Sequence, residues 1–412
     1  MTELTAAAPP RWRALLPARN LWTAAFLRLA SRIGDGALDV TTPDGRSHRF
    51  GPPDGVPRVS LALDDPAAAR RLLLGGDIAF AEAYADGLWR TSDLPGLIAL
   101  ALRNEGRPGV VARGTGAVRL ANRLFHRLRA NTRRGSRRNI AFHYDLGNEF
   151  YGLWLDRGMH YSSALYTGGG ETLEEAQEAK LRRAADLLDV TPGQRVLEIG
   201  CGWGGMAEHL ARRRGARVVG ITLSREQLAL AQERLAAERR AGTVDLQFRD
   251  YRDVTGTFDR IVSIEMIEAV GEEHWPRYFG VLRDRLEPGG TAVIQAITIA
   301  DDRFAAYRRG CDFIQRHIFP GGMLPCPAAM RAQAARAGLE VKHVEMFGAS
   351  YAATLAEWRR RFHAAWPEVA RRGFDERFRR LWDYYLAYCE AGFRTGVIDV
   401  GFWRLRRPAA GP

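Results

Sequence analysis

The chain has 412 residues, 46% of them hydrophobic and ten of them tryptophan, so it is long enough for two or three domains with substantial cores. This composition predicts a globular protein. The formal net charge of +12 excludes a neutral surface and predicts a partner of negative charge, such as phospholipid headgroups, nucleic acid or acidic metabolites.

Arginine supplies almost all of the positive charge, because Lys180 and Lys342 are the only lysines. Selection for phosphate binding and a GC-rich genome both produce this bias, and the sequence alone leaves the two open. The four cysteines are widely scattered without a CxxC pair or a zinc-type spacing. We therefore predict free thiols in a reducing cytoplasm and no metal site.

The N-terminal region, residues 1–105, is predicted to be a small α+β domain. Its first thirty residues mix tryptophan and leucine with arginine but contain neither a signal peptide nor a spanning helix. This segment either lies on a membrane surface or docks on its own domain. Residues 36–62 alternate like short strands, and the pattern is helical from Asp65 to about Leu102.

Residues 106–138 form a predicted basic linker helix. Ten arginines and no acidic residue lie between Gly106 and Tyr144. Leu120, Leu124 and Leu128 recur every four residues, which gives the helix an apolar stripe edged with guanidinium groups. Such a helix fits an anionic bilayer surface or packs its leucines on a neighbouring element, and both interpretations stay open.

From residue 139 to 412 strand and helix signals alternate, which predicts an α/β doubly wound, mostly parallel sheet with helices on both faces. The predicted strands cover 195–199, 217–223, 244–249, 258–264 and 291–299, and the aromatic-rich helices after 300 are predicted to pack as a cap. Ligands of such sheets bind at the carboxyl ends of the strands. Four residues fall at or just past these ends: Gly200, Thr222, Asp250 and Glu265.

The run at 196–205, VLEIGCGWGG, ends an apolar strand in glycines that let a ligand approach the bare backbone. Dinucleotide and methyl-donor folds both use such a turn. A dinucleotide fold places an acidic residue about 20 positions further on, but here that stretch ends in Thr222 without a carboxylate. The pattern therefore favours a methyl donor.

Several motifs in this order resemble the cyclopropane fatty acid synthase family, enzymes that use S-adenosylmethionine to modify unsaturated acyl chains of phospholipids. The resemblance covers residues 139 to about 400, and 73–84 also resembles the small N-terminal domain of longer bacterial members. This second match implies that residues 1–105 form a domain that engages the membrane and the lipid. The matching segments are 143–151, 159–163, 197–205, 220–224 with Gln227, 250–253, 258–263, 318–322 and 347–351.

The resemblance implies a donor site of the class I methyltransferase type, with a Rossmann-like sheet. Glycines would line the methionine part, the end of the second strand would hold the ribose and adenine, and two residues would close over the sulfonium. For Gln227 and Asp250, helix or loop capping is the alternative role. The implied residues are Tyr161, Ser162, Gly200, Gly202, Gly204, Thr222, Leu223, Gln227, Asp250 and Tyr251.

The resemblance also implies a bound bicarbonate that removes a proton from the methylated chain. Its holders would be Ser163, Glu268, Gln295, Ile297 and Tyr351. We place Glu268 at the end of a buried strand and give it a catalytic role, with a salt bridge to an arginine as the alternative.

Serine and glutamine stand at 163 and 295 where the family has cysteine and histidine, so the bicarbonate site is altered. Cys389 matches a late cysteine of the family, and we interpret it as structural.

The expected reaction is methyl transfer to the cis double bond of a phospholipid acyl chain, giving a carbocation and then a cyclopropane ring. The altered base site favours, as an alternative, a methylene- or methyl-branched chain. A non-catalytic lipid-surface protein is the alternative from another class. We expect a cytoplasmic protein on the inner face of an anionic membrane, without a nucleic-acid partner, and the resemblance implies a homodimer.

Overall fold

The structure, a computed structural model, describes residues 21–105 and 146–409, together with Gly135. These residues form two compact units, and Asp375–Tyr384 belong to the first unit with the N-terminal residues. The predicted basic helix with Leu120, Leu124 and Leu128 lies outside the described residues. The domain boundaries at 105 and 138 therefore remain predictions.

The first unit is built on a four-stranded sheet of order β2-β1-β3-β4. Strand β1 pairs antiparallel with β2 and parallel with β3. Helix α2 begins after Asp65, whose side chain accepts from the amide of Ala67, and Gly76 interrupts it with φ 75°. The elements are α1 (Leu21–Ala30), β1 (Ala37–Thr41), β2 (Ser47–Phe50), β3 (Arg58–Leu63), α2 (Pro66–Ala85), β4 (Trp89–Arg90) and α3 (Leu94–Asn104).

Trp89 anchors this unit. Its fully buried ring stacks on Phe80 with centroids 4.4 Å apart, and its indole N–H donates to the Phe80 carbonyl at 2.9 Å. The hydroxyl of Tyr84 donates to Asp383 at 2.8 Å. An aromatic ring with a satisfied polar atom gives a small unit a large apolar contact without an unpaired donor.

The second unit is built on a seven-stranded sheet of order β10-β11-β9-β8-β5-β6-β7. Strands β7, β6, β5, β8 and β9 run parallel, whereas β11 is antiparallel to both of its neighbours. The strands are β5 (Arg195–Ile199), β6 (Arg217–Thr222), β7 (Val244–Phe248), β8 (Phe258–Ile264), β9 (Leu286–Ile299), β10 (Glu340–Met346) and β11 (Ile398–Arg406).

Helices connect these strands. The α-helices are α4 (Asn148–Gly152), α5 (Leu173–Leu188), α6 (Gly205–Arg214), α7 (Arg225–Arg234), α8 (Ala236–Arg240), α9 (Trp275–Arg285), α10 (Asp301–Tyr307), α11 (Pro327–Arg336), α12 (Gly348–Arg371) and α13 (Glu376–Arg394). Three short 3₁₀ turns, Tyr251–Asp253, Ile267–Ala269 and Glu272–His274, and the π-helical turn Ile314–Ile318 complete the described elements.

The order of the sheet places a switch point between β5 and β8. From β5 the chain proceeds outward to β6 and β7, and it then returns to the other side of β5 to form β8 and β9. Right-handed crossovers in opposite directions bring the connecting helices to opposite faces of the sheet and leave a crevice at the carboxyl ends of the two central strands.

The predicted α/β doubly wound class is confirmed, and the bounds of β5 and β8 agree with the prediction. The region after residue 300 supplies two further strands, β10 and β11, which were not predicted from the sequence. Strand β10 reads EVKHVEM and is half exposed at the sheet edge, so it lacks the apolar run that marked the central strands. The placement of Glu268 at a strand end is also corrected, since β8 ends at Ile264 and Glu268 lies in the turn Ile267–Ala269.

Candidate functional site

The candidate site lies at the switch point, where the loops after β5 and β8 meet. Gly200 follows β5 directly and has φ +83°, and a Cβ added there would come within 3.2 Å of the Met266 side chain. Residue Met266 belongs to the loop after β8. A bulkier residue at 200 would therefore both strain the turn and press on the opposite loop.

The glycine turn fits a bound methyl donor. The amides of Gly200 and Cys201 both donate to the Ile221 carbonyl at 2.9 Å, which ties the turn to β6. Gly202 has φ +51°, and a Cβ added there would meet nothing within 4 Å, so open space borders its backbone. Gly204 caps helix α6 in the left-handed conformation without a side-chain hydrogen bond. Glycine backbone without a Cβ at the start of a helix lets a ligand approach the free N–H groups of that helix.

Thr222 and Gln227 come together at the end of β6. The Thr222 hydroxyl donates to the side-chain oxygen of Gln227 at 3.0 Å, and the Ser224 hydroxyl accepts from the backbone N–H of Gln227 at 3.2 Å. Leu223 between them is half-buried. The structure thus brings the residues predicted for the ribose side into one cluster, and their contact with the donor remains a prediction.

Asp250 takes the capping role that stood as the alternative for it. Its carboxylate accepts from the amide and the guanidinium of Arg252, with 2.6 Å between Oδ2 and Nη2. Tyr251 packs edge-on against Tyr278 in the core, with ring centroids 5.7 Å apart. Burial raises the pKa of Tyr251 to about 12.

Tyr161 and Ser162 lie on the segment before helix α5. The hydroxyls of Tyr161 and Tyr385 are 2.7 Å apart, and the Ser162 hydroxyl accepts from the Lys180 ammonium group at 2.8 Å. The buried amide of Gln177 donates to the Ser162 carbonyl at 2.9 Å. The backbone of this segment is therefore fixed by buried side chains of α5.

Aromatic rings surround Tyr161 and form a cluster. The Tyr161 ring lies 5.2 Å from Tyr151, 5.4 Å from Trp358 and 6.5 Å from Phe319, measured between centroids. The aromatic cluster consists of Tyr151, Trp154, Tyr161, Phe319, Tyr351, Trp358, Tyr385 and Phe393. Most of these rings are buried, and aromatic ring faces stabilise a cation.

Glu265 lies against this cluster and accepts three hydrogen bonds. Its Oε1 accepts from the amide of Ser163 at 2.8 Å and from Nε2 of Gln295 at 2.7 Å. Its Oε2 accepts from the Tyr351 hydroxyl at 2.7 Å. Its backbone has φ +47°, a left-handed conformation that is uncommon for a residue other than glycine. Three hydrogen-bond donors and a strained backbone conformation therefore fix the position of the Glu265 carboxylate.

Helix α12 positions the Ser163 segment. The hydroxyls of Thr354 and Ser350 accept from the amides of Ala164 and Tyr166, each at 3.1 Å. The Ser163 hydroxyl donates to the Ala164 carbonyl, so only the Ser163 backbone faces Glu265.

Glu268 lies one turn further on and has different partners. Its Oε1 accepts from the amide of Ile297 at 2.6 Å, while its buried Oε2 has no hydrogen-bond partner among the described residues. The alternative role of Glu268, a salt bridge to an arginine, is not found among the ion pairs of the described residues.

Glu265 and Glu268 differ in what opposes the effect of burial. Burial and the neighbouring Glu265 raise the pKa of Glu268 to about 8. Burial also raises the pKa of Glu265, but its three donors and the charge of Lys180 oppose that rise. Hydrogen bonds to the ionised form favour that form, so Glu265 is the carboxyl group of the two whose surroundings favour the carboxylate.

The residues implied for bicarbonate do not fit that anion. The amide of Ser163, the side chain of Gln295 and the hydroxyl of Tyr351 already donate to Glu265, and the amide of Ile297 donates to Glu268. A bicarbonate ion would find these donors engaged and would lie beside two carboxyl groups. Repulsion between the bicarbonate ion and a neighbouring carboxylate is unfavourable where little water screens it.

Two residues of this site were missed as functional residues by sequence reasoning. Glu265 was noted only because it follows a strand, and Lys180 only as one of two lysines. Lys180 is fully buried, and burial lowers its pKa to about 8 while Glu265, Asp156 and Glu198 oppose that fall. One of only two lysines in an arginine-rich chain, on a helix with an apolar face, was the available signal.

Burial raises the pKa of the Cys389 thiol, so the neutral thiol prevails near neutral pH. A thiolate nucleophile would need a lowered pKa. Methyl transfer from a sulfonium group to an alkene needs no thiolate.

Comparison with known proteins agrees with this geometry. Residues 131–403 match the family model "Mycolic acid cyclopropane synthetase". The chain is 40% identical over 369 residues to the tuberculostearic acid methyltransferase UfaA1 of Mycobacterium tuberculosis, covering 84% of this chain and 83% of that protein. It is 34% identical over 380 residues to the cyclopropane-fatty-acyl-phospholipid synthase of Escherichia coli K12, covering 89% of this chain and 94% of the relative.

Among solved structures, the mycolic acid cyclopropane synthase CmaA1 in complex with SAH and CTAB aligns with a TM-score of 0.62 and 30% identity. That alignment covers 66% of this chain and 98% of CmaA1. The family match, the glycine turn and the sheet order agree with one another, and the chain belongs to the mycolic acid cyclopropane synthetase family of S-adenosylmethionine-dependent methyltransferases.

Proposed function

We propose that the protein transfers the methyl group of S-adenosylmethionine to the cis double bond of an unsaturated acyl chain in membrane phospholipid and forms a cyclopropane ring. The observation that carries this proposal is the position of Tyr351. Its hydroxyl bonds to Glu265, and its ring lies 4.5 Å from Phe393 and 6.1 Å from Trp358. One residue thus joins the half-buried carboxylate of Glu265 to the aromatic cluster.

This arrangement suits attack by an alkene, which is a poor nucleophile. S-adenosylmethionine, when bound, supplies an activated methyl group with a neutral leaving group. The protein's own tasks are to align the alkene, exclude water and stabilise the cation that forms on the acyl chain. Ring faces of the cluster stabilise positive charge, and the nearby carboxylate adds an ionic contribution.

The names of the relatives support the lipid substrate. UfaA1 is named for tuberculostearic acid and the Escherichia coli relative for a cyclopropane fatty acyl phospholipid. Both names concern fatty acyl chains, and the chain covers most of each relative. We extend the fatty acyl substrate to this protein on that basis.

A methylene- or methyl-branched acyl chain is the second candidate product. Both products share the first step and differ in whether a hydride shift precedes the loss of the proton. The altered base site, where the side-chain amide of Gln295 donates a 2.7 Å hydrogen bond to Glu265, is the observation that supports the second product. Direct loss of a proton from the new methyl group closes a ring, whereas a hydride shift followed by loss of a proton from the methyl group or from a chain carbon gives a methylene group or a methyl-branched alkene.

The decisive experiment incubates the protein with methyl-labelled S-adenosylmethionine and vesicles of dioleoyl phosphatidylglycerol, with distearoyl vesicles as the saturated control. Label is expected in the dioleoyl lipid only. Mass spectrometry and chromatography of the released fatty acid then separate ring from branched products. Donor binding without label in either lipid would overturn the proposal.

We also propose that the protein acts at the inner face of an anionic membrane. The net charge is +12, and ten arginines without an acidic residue lie between Gly106 and Tyr144. Among residues 21–105 and 146–409, no helix has the length and apolar character to cross a bilayer. Sedimentation with phosphatidylglycerol vesicles, but not phosphatidylcholine vesicles, is expected at low salt and should weaken as salt screens the charge.

A further inference from the structure

Glu265 is the centre of a hydrogen-bonded site whose other members are distant in the sequence. Ser163 precedes helix α5, Gln295 lies in the middle of β9, and Tyr351 lies in the first turn of α12. All three donate to this one carboxylate over 2.7–2.8 Å. A carboxylate without a role would not require three separate elements to direct donors at it.

The charge of Glu265 is balanced without a surface ion pair. Lys180, fully buried, is the nearby cation that acts on it, and Glu268 is the nearby carboxyl group that holds a proton near neutral pH. Tyr351 and Cys389 also face it, and burial keeps both in the neutral form at this pH. The three donors and Lys180 therefore favour the ionised form at Glu265, whereas burial and the neighbouring Glu265 favour the neutral form at Glu268.

We propose that Glu265 is the proton acceptor of the reaction and that its carboxylate replaces bicarbonate, so that the protein works without that anion. This inference rests on the proposed function. It follows from the mismatch described above, because the donors implied for bicarbonate are bonded to Glu265 and Glu268. A carboxylate carries the same charge as bicarbonate and accepts the same donors, but it is part of the chain.

In the proposed step, the π electron pair of the alkene forms a bond to the methyl carbon while the carbon–sulfur pair stays on sulfur, and the second alkene carbon becomes positive. For the ring product, a C–H bond of the new methyl group then breaks, and its electron pair forms the third ring bond to the positive carbon. For the branched product, a hydride first shifts to the positive carbon, and the electron pair of a C–H bond next to the new cationic carbon then forms a double bond. The proton goes to a carboxylate oxygen of Glu265.

Oε2 of Glu265 is the oxygen suited to take the proton. Oε1 accepts two hydrogen bonds, which occupy both of its lone pairs, whereas within the part of the chain that the structure describes Oε2 accepts the bond from Tyr351 alone. The remaining lone pair of Oε2 is free to accept a proton. Tyr351 is a positioning residue in this scheme, because its hydroxyl orients the accepting oxygen.

The first test uses the wild-type protein and needs no variant. Methyl transfer to dioleoyl phosphatidylglycerol vesicles is measured in buffer purged of carbon dioxide, with and without added bicarbonate. The same rate in both buffers is the expected result. A rate that rises severalfold with bicarbonate would overturn the inference while leaving the proposed function intact, whereas no methyl transfer in either buffer would overturn the proposed function.

The second test replaces Glu265 by glutamine, which keeps the shape but cannot accept the proton. Because a general base contributes a factor of about 100 or more, turnover of Glu265→Gln is expected to fall by about that factor. Glu233→Gln is the matched control, since Glu233 is exposed on helix α7, and it should retain the wild-type rate. Affinity for S-adenosylhomocysteine, measured by calorimetry, should be equal in all three proteins.

Product analysis separates a base from a merely structural residue. Without the acceptor, the cation on the acyl chain persists until water adds to it, so the fraction of methylated chains that carry a hydroxyl group is expected to rise in Glu265→Gln. Wild-type turnover by Glu265→Gln, or a slow reaction with the wild-type product pattern, would overturn the assignment.

Discussion

The hydroxyl of Tyr351 donates a 2.7 Å hydrogen bond to Oε2 of Glu265, while the ring of Tyr351 stacks on Phe393 with centroids 4.5 Å apart. The hydroxyl and the ring therefore serve separate purposes. The ring belongs to the aromatic cluster, whereas the hydroxyl orients a carboxylate oxygen. A substitution that removes only the hydroxyl tests the second purpose alone.

Tyr351→Phe is expected to reduce turnover by a factor of about 10 to 100, since a hydrogen bond to a charged group contributes about 1.5–3 kcal/mol. Its thermal midpoint should change little, because the ring contacts are kept. Methyl transfer to dioleoyl phosphatidylglycerol vesicles measures the rate.

Tyr278→Phe is the control for this substitution, as Tyr278 is a fully buried tyrosine of helix α9 that packs on Tyr251 and Phe279. It should keep the wild-type rate. Equal rates for Tyr351→Phe and the wild type would contradict an orienting role for the hydroxyl.

Lys180 provides a second test, because the chain contains one buried and one exposed lysine. Lys180→Met removes the cation that faces Glu265, Asp156 and Glu198 and breaks the bond to Ser162. Loss of one partner from a buried set of charges is expected to lower the free energy of unfolding by about 3 kcal/mol. Thermal unfolding monitored by circular dichroism measures this change.

Lys342→Met is the matched control, since the Lys342 side chain is 44% exposed and pairs with Glu340 on the same strand. A surface substitution of this kind should change the free energy of unfolding by no more than about 0.5 kcal/mol. Similar effects of the two substitutions would show that the buried charge of Lys180 is not a stabilising feature.

Glu198, in the strand before the glycine turn, should make stability depend on pH. Burial raises its pKa to about 8, and Lys180 opposes the rise. In the unfolded chain a glutamate ionises near its usual pKa of about 4.3. Between these values the folded protein holds a proton that the unfolded chain has released, so the contribution of Glu198 to stability falls as pH rises from about 4.3 to 8.

Glu198→Gln removes this titration. The thermal midpoint of the variant relative to wild type is expected to increase from pH 5 to pH 8, with a limit of about 1.4 kcal/mol per pH unit in the free energy of unfolding. The exposed substitution Glu233→Gln should give no such trend. Parallel curves for wild type and Glu198→Gln would mean that Glu198 titrates normally in the folded state.

The central strands were predictable from the sequence because their signals are local. Buried parallel strands such as β5 and β8 are continuous apolar runs, and their ends agree with the prediction. Strand β10 was not predicted because it is a half-exposed edge strand rich in charged residues. Strand β11 was not predicted because it follows a long helix after only a short turn.

The base site was only partly predictable, because its bonds join residues that are far apart in the chain. The family pattern supplied Ser163, Gln295 and Tyr351, but it did not indicate that a side chain of the protein itself fills the space between them. Glu265 carries no local mark except its place after a strand, and only the packing of β8, β9 and α12 directs three donors at it. The altered residues at 163 and 295 were the visible sign that this site differs.

Gly202 tests the donor site, and Gly193 offers a closely matched control. Both have positive φ, +51° and +84°, and a Cβ added at either would meet nothing within 4 Å. Alanine at each position should therefore lower the free energy of unfolding by a similar amount, about 1–2 kcal/mol, because of the left-handed backbone. The two positions differ in what lies beside them, since Gly202 borders the crevice whereas Gly193 lies in the turn before β5.

Only Gly202→Ala is expected to weaken binding of S-adenosylhomocysteine, by about tenfold or more, because the added methyl group takes space that the ligand needs and holds its atoms away from the backbone. Calorimetric titration of the two variants and the wild type measures this difference at a temperature where all three are folded. Equal affinities for the two alanine variants would place the donor elsewhere than over the glycine turn, whatever their effects on stability.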